Sequence, residues 1–284
     1  MAPIFDTHVH IYDRSLYPFR PGFARPDGER ADAATLVGEM DAAGVDAALL
    51  VQTPWYGEDN RYLLESMRRF PGRFAAIGYL VDPLAPDAPV RLERQYHEDG
   101  FRGVRFHLAD DLRGFVDDQR IIEGLLAGAA DPLLRQAREL GVPVQFLNRV
   151  SNQHAIVAVA DRHPDLTIVV DHLGHPLVAE APNFPSSCHL FALAERPNVY
   201  VKMSNQVLSS RQPYPWRDLH DYQKRLVDLF GPRRLMWGTN WPLDTPQLTY
   251  AARLAAVRDE LPFLSEEDKI QILGRTAFSL WQPV

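Results

Sequence analysis

The chain is poor in cysteine, since Cys188 is its one thiol among 284 residues. A single thiol cannot form an intrachain disulfide, and it cannot supply a zinc site made of cysteine pairs. Long apolar runs are also absent, because no stretch approaches the roughly eighteen residues that a membrane-spanning helix needs. The first predicted strand starts almost at Met1, so no room is left for a signal peptide. These absences predict a cytoplasmic protein that has no membrane partner.

Clustered positive charge is the second thing that the sequence lacks. The formal net charge is −7, and no block of lysine and arginine interrupts the chain. Nucleic acid is therefore not an expected partner, since binding to phosphates needs clustered basic residues. A hydrophobic share of 46% and a charged share of 24% are ordinary for a globular protein. With no linker and no low-complexity segment, we expect one domain over residues 1–284.

What the chain does have is a repeated alternation of short apolar stretches with helical patterns. After a first strand around residues 6–10, the predicted strands are 45–52, 74–81, 101–108, 142–147, 166–172, 198–204 and 234–240. Two more helices are predicted at 249–259 and 265–280. Eight strand–helix units predict an α/β fold, a (β/α)8 TIM barrel, regular or distorted, with extra C-terminal helices. An open doubly wound sheet is less favoured, because no glycine-rich turn follows the first strand.

The first strand carries two histidines. The period of two in a strand predicts that Asp6, His8 and His10 share one face. Two imidazoles on one face can reach the same ion, because neutral imidazole is a common metal ligand. The alternative is a strand that carries two histidines without any such role.

The carboxyl ends of the predicted strands carry polar and aromatic side chains, and active sites of β/α barrels lie at these ends. The residues found there, besides the histidine pair, are Gln52, Trp55, Arg105, His107, Gln145, Arg149, His172, Lys202, Asn240 and Trp241. His172 adds a third imidazole to His8 and His10, and three imidazoles with one open position make a plausible catalytic zinc site. The alternative for His172 is a structural hydrogen bond to the backbone.

Three cations of this set, Arg105, Arg149 and Lys202, would give the pocket a positive lining. Such a lining suits a carboxylated substrate, because guanidinium binds carboxylate in a bidentate manner. The alternative is that each cation pairs with a carboxylate of the protein, such as Asp110 or Asp111.

Three motifs, DTHVH near the start, VVDHLGHP in the middle and LMWGTNWP near the end, resemble the amidohydrolase superfamily. More narrowly they resemble its amidohydrolase-related branch of lactone hydrolases, which act on pyrone-dicarboxylate, sulfomuconolactone and sugar lactones. The resemblance implies a hydrolase that opens the ester bond of a small, carboxylated lactone. It also implies a water activated by one divalent metal ion, zinc in the first place, on His8, His10 and His172.

The chain departs from the family pattern at two positions. Asn240 stands where many members carry an aspartate that binds metal and handles the proton, and an amide cannot act as a general base. Gln145 is nearest to the place of the wider superfamily's fifth-strand histidine. The departures argue against a binuclear centre. They also leave the base to be found among Asp244, His175 and His107.

The resemblance therefore predicts catalytic, substrate-binding and metal-binding roles. The predicted catalytic residues are His172, Asn240, Arg105 and Asp244, and the predicted substrate-binding residues are Gln52, Trp55, His107, Gln145, Arg149, Lys202 and Trp241. Four alternatives stay open at this point: a metal-independent lactonase in which histidines and Arg105 polarise the ester, a nonoxidative decarboxylase of aromatic acids, an inactive paralogue, and a binding protein. The partner is expected to be a small lactone or carboxylic acid, and a homo-oligomer is left open.

Overall fold

A ring of parallel strands forms the centre of the molecule. The structure is a computed structural model that describes residues 2–23, 30–108, 118–243 and 248–284. The strands pair in chain order, and they are β1 Phe5–Val9, β2 Ala47–Val51, β3 Phe74–Tyr79, β4 Val104–Leu108, β5 Val144–Asn148, β6 Ile168–Val170, β7 Val199–Ser204 and β8 Leu235–Gly238. This order confirms the predicted (β/α)8 TIM barrel.

The first and last strands meet through their carboxyl ends. Val9 forms a parallel bridge with Trp241. The backbone N–H of Asn240 donates to the carbonyl oxygen of His8 at 2.8 Å. The backbone N–H of His10 donates to the carbonyl oxygen of Trp241 at 2.7 Å. These two hydrogen bonds bring the segment around Asn240 beside the histidine pair.

Side chains alternate between the interior of the barrel and the helical layer, as a strand requires. On β2, Ala47, Leu49 and Val51 belong to the interior cluster, whereas Ala48 and Leu50 pack against the helices. The interior cluster also contains Phe5 and Trp281. Trp281 follows the last helix, so the C-terminal segment fills the amino-terminal end of the barrel and leaves the opposite end for a site.

Helices follow the strands, and their ends match the residues found there. The helices are α1 Ala33–Ala43, α2 Arg61–Arg69, α3 Ala88–His97, α4 Asp118–Ala127, α5 Asp131–Glu139, α6 Gln153–Arg162, α7 Cys188–Leu193, α8 Gln206–Ser209, α9 His220–Phe230, α10 Tyr250–Arg258, α11 Glu266–Ile270 and α12 Thr276–Leu280, with a π-helical turn Gln271–Arg275 between the last two. Asp32 caps α1 by accepting from the amides of Ala34 and Thr35, and Gly44 ends it at φ 72°. Helix α4 was not predicted.

The barrel carries a few short additions. A two-stranded antiparallel ribbon joins Tyr12–Asp13 to Arg30–Ala31. Short 3-10 turns are found at Val150–Asn152, His172–Gly174, Val178–Glu180, Pro185–Ser187, Arg217–Leu219 and Pro232–Arg234. No helix of the described residues is long and apolar enough to span a bilayer.

The expectation that Asp6 shares a face with His8 and His10 is wrong. The register between β1 and β2 shifts between Asp6 and Val9, which changes the alternation at that point. The Asp6 carboxylate accepts hydrogen bonds from the Thr239 hydroxyl at 2.6 Å and from the Tyr250 hydroxyl at 2.9 Å. Asp6 therefore ties the barrel to α10, while the two histidines face the barrel end.

Candidate active site

The imidazoles of His8 and His10 face each other, with their Nε2 atoms 3.2 Å apart. His10 Nδ1 lies 2.9 Å from the carbonyl oxygen of Val51. A carbonyl only accepts, so in the neutral ring Nδ1 of His10 carries the proton and Nε2 keeps its lone pair. If His8 also carries its proton on Nδ1, two lone pairs point at each other. That arrangement is stable only with a cation or a proton between them.

His8, Asp171 and His172 form a group that could hold a metal ion, because one ligand atom of each lies within 4.8 Å of the others. Burial lowers the pKa of His8 and of His172 well below the usual value, which keeps both rings neutral at pH 7. Neutral imidazole is the form that binds a metal. The Ser204 hydroxyl lies 2.8 Å from Nδ1 of His172 and orients that ring.

A fully buried carboxylate, Asp171, lies beneath these histidines. Arg105 Nε donates to its Oδ2 at 2.8 Å, and Gln145 Nε2 donates to the same oxygen at 3.2 Å. The other oxygen, Oδ1, lies 3.4 Å from His8 Nδ1 and 3.6 Å from Lys202 Nζ. Burial alone would raise the pKa of Asp171, but the charges around it, that of Arg105 first, hold it well below its usual value. Asp171 is therefore an ionised partner of several groups at once.

Lys202 is the second basic residue beside Asp171. Its ammonium group donates to the carbonyl of Thr7 at 2.6 Å and to Oε1 of Gln145 at 2.5 Å. The side chain is fully buried, and burial lowers the pKa of Lys202 to about 7. Two basic side chains and one carboxylate thus share a network, in which Oδ1 of Asp171 accepts no hydrogen bond from another described residue. We call this network, formed by Arg105, Gln145, Asp171 and Lys202, the charged floor.

His107 lies beside Arg105 on β4, as the strand alternation predicts. Arg105 Nη1 lies 3.3 Å from His107 Nε2. A guanidinium group only donates, so Nε2 accepts and the proton of the neutral ring is on Nδ1. Burial lowers the pKa of His107 well below its usual value, and Arg105 adds to that effect. His107 therefore presents an N–H donor rather than a basic nitrogen.

A cavity of about 150 Å³ opens above the charged floor at the carboxyl ends of the strands. Its walls combine polar side chains with leucines and one tryptophan, and they consist of His10, Thr53, Pro54, Trp55, Arg105, His107, Leu147, Arg149, His172, His175, Asn205, Leu208, Asn240 and Leu243. The size suits a small molecule and not a polymer. The mixed lining suits a molecule with both polar and apolar edges.

Several polar atoms of the cavity wall have no partner among the described residues. Nε2 of His175, Oδ1 of Asn205 and Oδ1 of Asn240 are buried and make no hydrogen bond there. Arg149 is exposed and lines the cavity, and its side chain makes no ion pair or hydrogen bond with another described residue. We call these four residues the rim. Buried polar groups without partners are costly, and they are found where a ligand supplies the missing bond.

Left-handed backbone positions hold three of the four rim residues. The φ angles are 54° at His175, 58° at Asn205 and 59° at Asn240. Residues other than glycine rarely adopt this region, and when they do they often belong to functional sites. The turn after β6 is secured by Gln153, whose Nε2 donates to the carbonyl of Gly174 at 2.9 Å.

The structure brings together most of the predicted site residues, but not all of them at the cavity. His10, Trp55, Arg105, His107, Arg149, His172 and Asn240 line it, and His8 lies directly beneath. Gln145 and Lys202 belong to the charged floor, and Trp241 bridges to β1. Gln52 instead bonds to Asn60 Oδ1 at 2.9 Å. Asp244 lies outside the described residues.

Sequence reasoning missed the importance of Asp171 and Asn205. Asp171 is not among the predicted site residues, although it directly follows β6 and precedes His172. A carboxylate at the carboxyl end of a buried strand is costly unless it has cationic partners, and this was the signal that could have identified it. Asn205 gave a weaker signal, because one asparagine after a strand is common in turns.

Comparison with known proteins gives consistent results. A family model described as Amidohydrolase matches residues 5–282. An L-fucono-1,5-lactonase of Burkholderia ambifaria is 34% identical over 206 residues, which are 71% of this chain and 66% of that protein. A 4-sulfomuconolactone hydrolase of Hydrogenophaga intermedia is 28% identical over 243 residues, 84% of this chain and 74% of that protein. A crystal structure of a candidate 2-pyrone-4,6-dicarboxylic acid hydrolase from Pseudomonas putida superposes with a TM-score of 0.80 at 25% identity, covering 99% of this chain and 97% of that one.

Proposed function

The chain belongs to the amidohydrolase family, and we propose that it hydrolyses the ester bond of a small lactone. The relatives named above act on lactones according to their names, which supports this choice of bond. The observation that carries the proposal is the pair of imidazole nitrogens of His8 and His10, 3.2 Å apart beside a small polar cavity. Such a pair is suited to activate a water molecule next to a bound ester.

The donor atoms fit a single divalent ion, and we favour zinc. Zinc–nitrogen bonds of about 2.0–2.1 Å in a tetrahedral site place two nitrogens about 3.3 Å apart, close to the 3.2 Å between the two Nε2 atoms. His8, His10 and His172 would hold the ion. Of these, His8 and His172 belong to the group whose ligand atoms lie within 4.8 Å of one another, and the third member of that group is Asp171 rather than His10. A bound ion of this kind lowers the pKa of its water and polarises a carbonyl group.

The residues of the chain contribute charge to the same reaction. The charged floor contains two cations, Arg105 and Lys202, and one carboxylate, Asp171. Asp171 balances the charge of Arg105, and protonated Lys202 adds a positive charge that favours the negative charge developing on the carbonyl oxygen of an ester under attack. His107 adds an N–H donor on the cavity wall.

Asn240 cannot accept a proton, so proton transfer needs another group. Asp244, the predicted catalytic carboxylate, lies outside the described residues and stays a candidate for the base together with His175. His107 presents its N–H, as its contact with Arg105 requires, and is therefore not basic at the cavity. Nε2 of His175 has no partner among the described residues, and the residue lines the cavity. Asn240, across the cavity, is suited to orient the water or the lactone carbonyl through its amide.

A carboxylate on the lactone would bind at the rim. Arg105 and Lys202 are bonded to Asp171, Gln145 and Thr7. Arg149 lines the cavity, and its side chain makes no ion pair with another described residue. The alternative partners Asp110 and Asp111 lie outside the described residues. The predicted triple cationic lining thus reduces mainly to Arg149. One arginine fits one carboxylate.

The proposed function is tested by metal analysis combined with a lactone assay. Purified protein is expected to contain close to one divalent ion per chain, and a His8→Ala/His10→Ala variant is expected to lose it. Proton release from lactones is compared with CO₂ release from aromatic acids. Proton release that survives complete removal of the metal would leave a lactonase but reject the zinc mechanism. Release of CO₂ without proton release would reject lactone hydrolysis itself.

A further inference from the structure

Three rim residues follow three neighbouring strands and face the same part of the cavity. Arg149 follows β5, His175 follows β6 and Asn205 follows β7. The three residues line one cavity, and the strands that they follow are neighbours in the barrel.

The three side chains require complementary groups from a ligand. Arg149 offers a fork of N–H donors that matches a carboxylate. The buried amide oxygen of Asn205 accepts only, so it needs an O–H or N–H donor. Nε2 of neutral His175 either donates or accepts, depending on the tautomer. A hydroxyl group satisfies both Asn205 and His175, since it donates and accepts.

A carboxylate alone would leave Asn205 without a partner. An unsatisfied buried acceptor costs about 1–3 kcal/mol, which corresponds to roughly 5- to 150-fold in binding. A ligand with hydroxyl groups but no charge would leave Arg149 unused. The combination of the two requirements selects a carboxylate with a hydroxyl group close to it.

We propose that Arg149, His175 and Asn205 form a subsite for a carboxylate flanked by a hydroxyl group, so that the substrate is a hydroxylated lactone with one carboxylate, such as the monolactone of a sugar diacid. The proposal rests on the proposed lactone hydrolysis for its reaction. The subsite itself can be tested without turnover.

The first experiment compares three lactones by proton release. They are galactaric acid monolactone, which has hydroxyl groups and a carboxylate, galactonolactone, which has hydroxyl groups only, and 2-pyrone-4,6-dicarboxylate, which has carboxylates only. We expect kcat/KM for the first to exceed both others at least tenfold. Arg149→Gln is expected to lower kcat/KM for galactaric acid monolactone by about ten- to a hundredfold, and to leave kcat/KM for galactonolactone nearly unchanged.

Asn205→Gly tests the hydroxyl half of the subsite, because glycine accepts the left-handed backbone without strain. It is expected to reduce kcat/KM for galactaric acid monolactone and for galactonolactone by similar factors, and to leave the pyrone unchanged. Arg138→Gln on the outer surface of α5 is the matched control, and no change is expected there.

Calorimetric binding of open galactarate separates the subsite from the reaction. If no lactone is hydrolysed but galactarate binds and Arg149→Gln weakens it tenfold or more, the subsite stands and the proposed function fails. If lactones are hydrolysed without the expected preference, and Arg149→Gln leaves galactarate binding unchanged, the subsite is rejected and the hydrolase stands. Absence of both hydrolysis and binding rejects both.

Discussion

The charged floor and the rim contain similar residue types, but they differ in how the protein satisfies them. In the floor, Asp171, Arg105 and Lys202 are buried and bonded to one another or to Gln145 and Thr7. In the rim, polar atoms are buried without a partner among the described residues. Buried charge is tolerated only when it is paired. The charged groups of the floor are paired within the fold, although Oδ1 of Asp171 accepts no hydrogen bond among the described residues, whereas we propose that a ligand completes the rim.

This difference separates two kinds of functional residue that look alike in a sequence. A floor residue holds other side chains in place, and its loss is expected to reduce stability and activity together. A rim residue contacts the ligand, and its loss is expected to change substrate preference while stability is retained. A floor substitution that leaves stability unchanged, or a rim substitution that lowers it, would show that the distinction between floor and rim is wrong.

Substitution of Asp171 is expected to have the largest effect. Asp171→Asn keeps the shape but leaves Arg105 and Lys202 buried without an anion, which is expected to cost about 3–5 kcal/mol in the free energy of unfolding. Urea denaturation and the lactone assay measure both consequences. Asp131→Asn is the matched control, because that carboxylate pairs with Arg162 at 3.2 Å in the helical layer and is partly exposed. The control is expected to lose no more than about 1 kcal/mol.

Lys202→Met is expected to have the next largest effect. It leaves the carbonyl of Thr7 and Oε1 of Gln145 without their donor, at about 1–3 kcal/mol for each unsatisfied group. In the Asp171→Asn variant, Lys202→Met also removes a positive charge that repels Arg105. Lys202→Met is therefore expected to lower the free energy of unfolding less in that variant than in the unchanged protein. A double-mutant cycle in urea measures the coupling. Additive losses would show that Lys202 and Asp171 act independently.

The sequence was sufficient to predict the barrel and to predict that a cavity with polar walls lies at the carboxyl ends of its strands. Alternation of apolar strands and helices is repeated eight times, and the strand ends collect polar residues that folding alone does not need. The hydrogen bonds and ion pairs between these polar residues could not be predicted, because they depend on distances across the barrel. Gln52 and Gln145 look equivalent in sequence, yet Gln52 bonds to Asn60 and Gln145 bonds to Lys202.

Local packing explains the remaining differences. Residues 265–280 were predicted as one helix, but a π-helical turn interrupts it at Gln271–Arg275. Gly274 lies against the N-terminal segment there, and a Cβ atom at this position would be 1.9 Å from the carbonyl oxygen of Pro3. A pattern of neighbouring residues cannot predict a contact between the two ends of the chain. For the same reason it cannot predict the register shift in β1 that turns Asp6 outward.

Asn240→Asp is expected to change activity more than stability. Aspartate tolerates the left-handed backbone of this position, so little strain is introduced. Its carboxylate restores the family's proton-handling group beside a floor with excess positive charge, and kcat/KM is expected to stay the same or rise. Steady-state kinetics with the preferred lactone provide the measurement. Complete loss of activity in a stably folded variant would mean that the amide has a role that a carboxylate cannot fill.

Arg149→Gln is expected to have the smallest effect on stability. It is therefore the sharpest test of the distinction between the charged floor and the rim. The side chain of Arg149 is exposed and makes no ion pair or hydrogen bond with another described residue, so its replacement is expected to change the free energy of unfolding by less than about 0.5 kcal/mol. Urea denaturation of Arg149→Gln beside Arg138→Gln measures this. A loss above about 1 kcal/mol would show that Arg149 has a partner in the protein. The residue would then belong with the floor, and the reason to assign it to a substrate carboxylate would disappear.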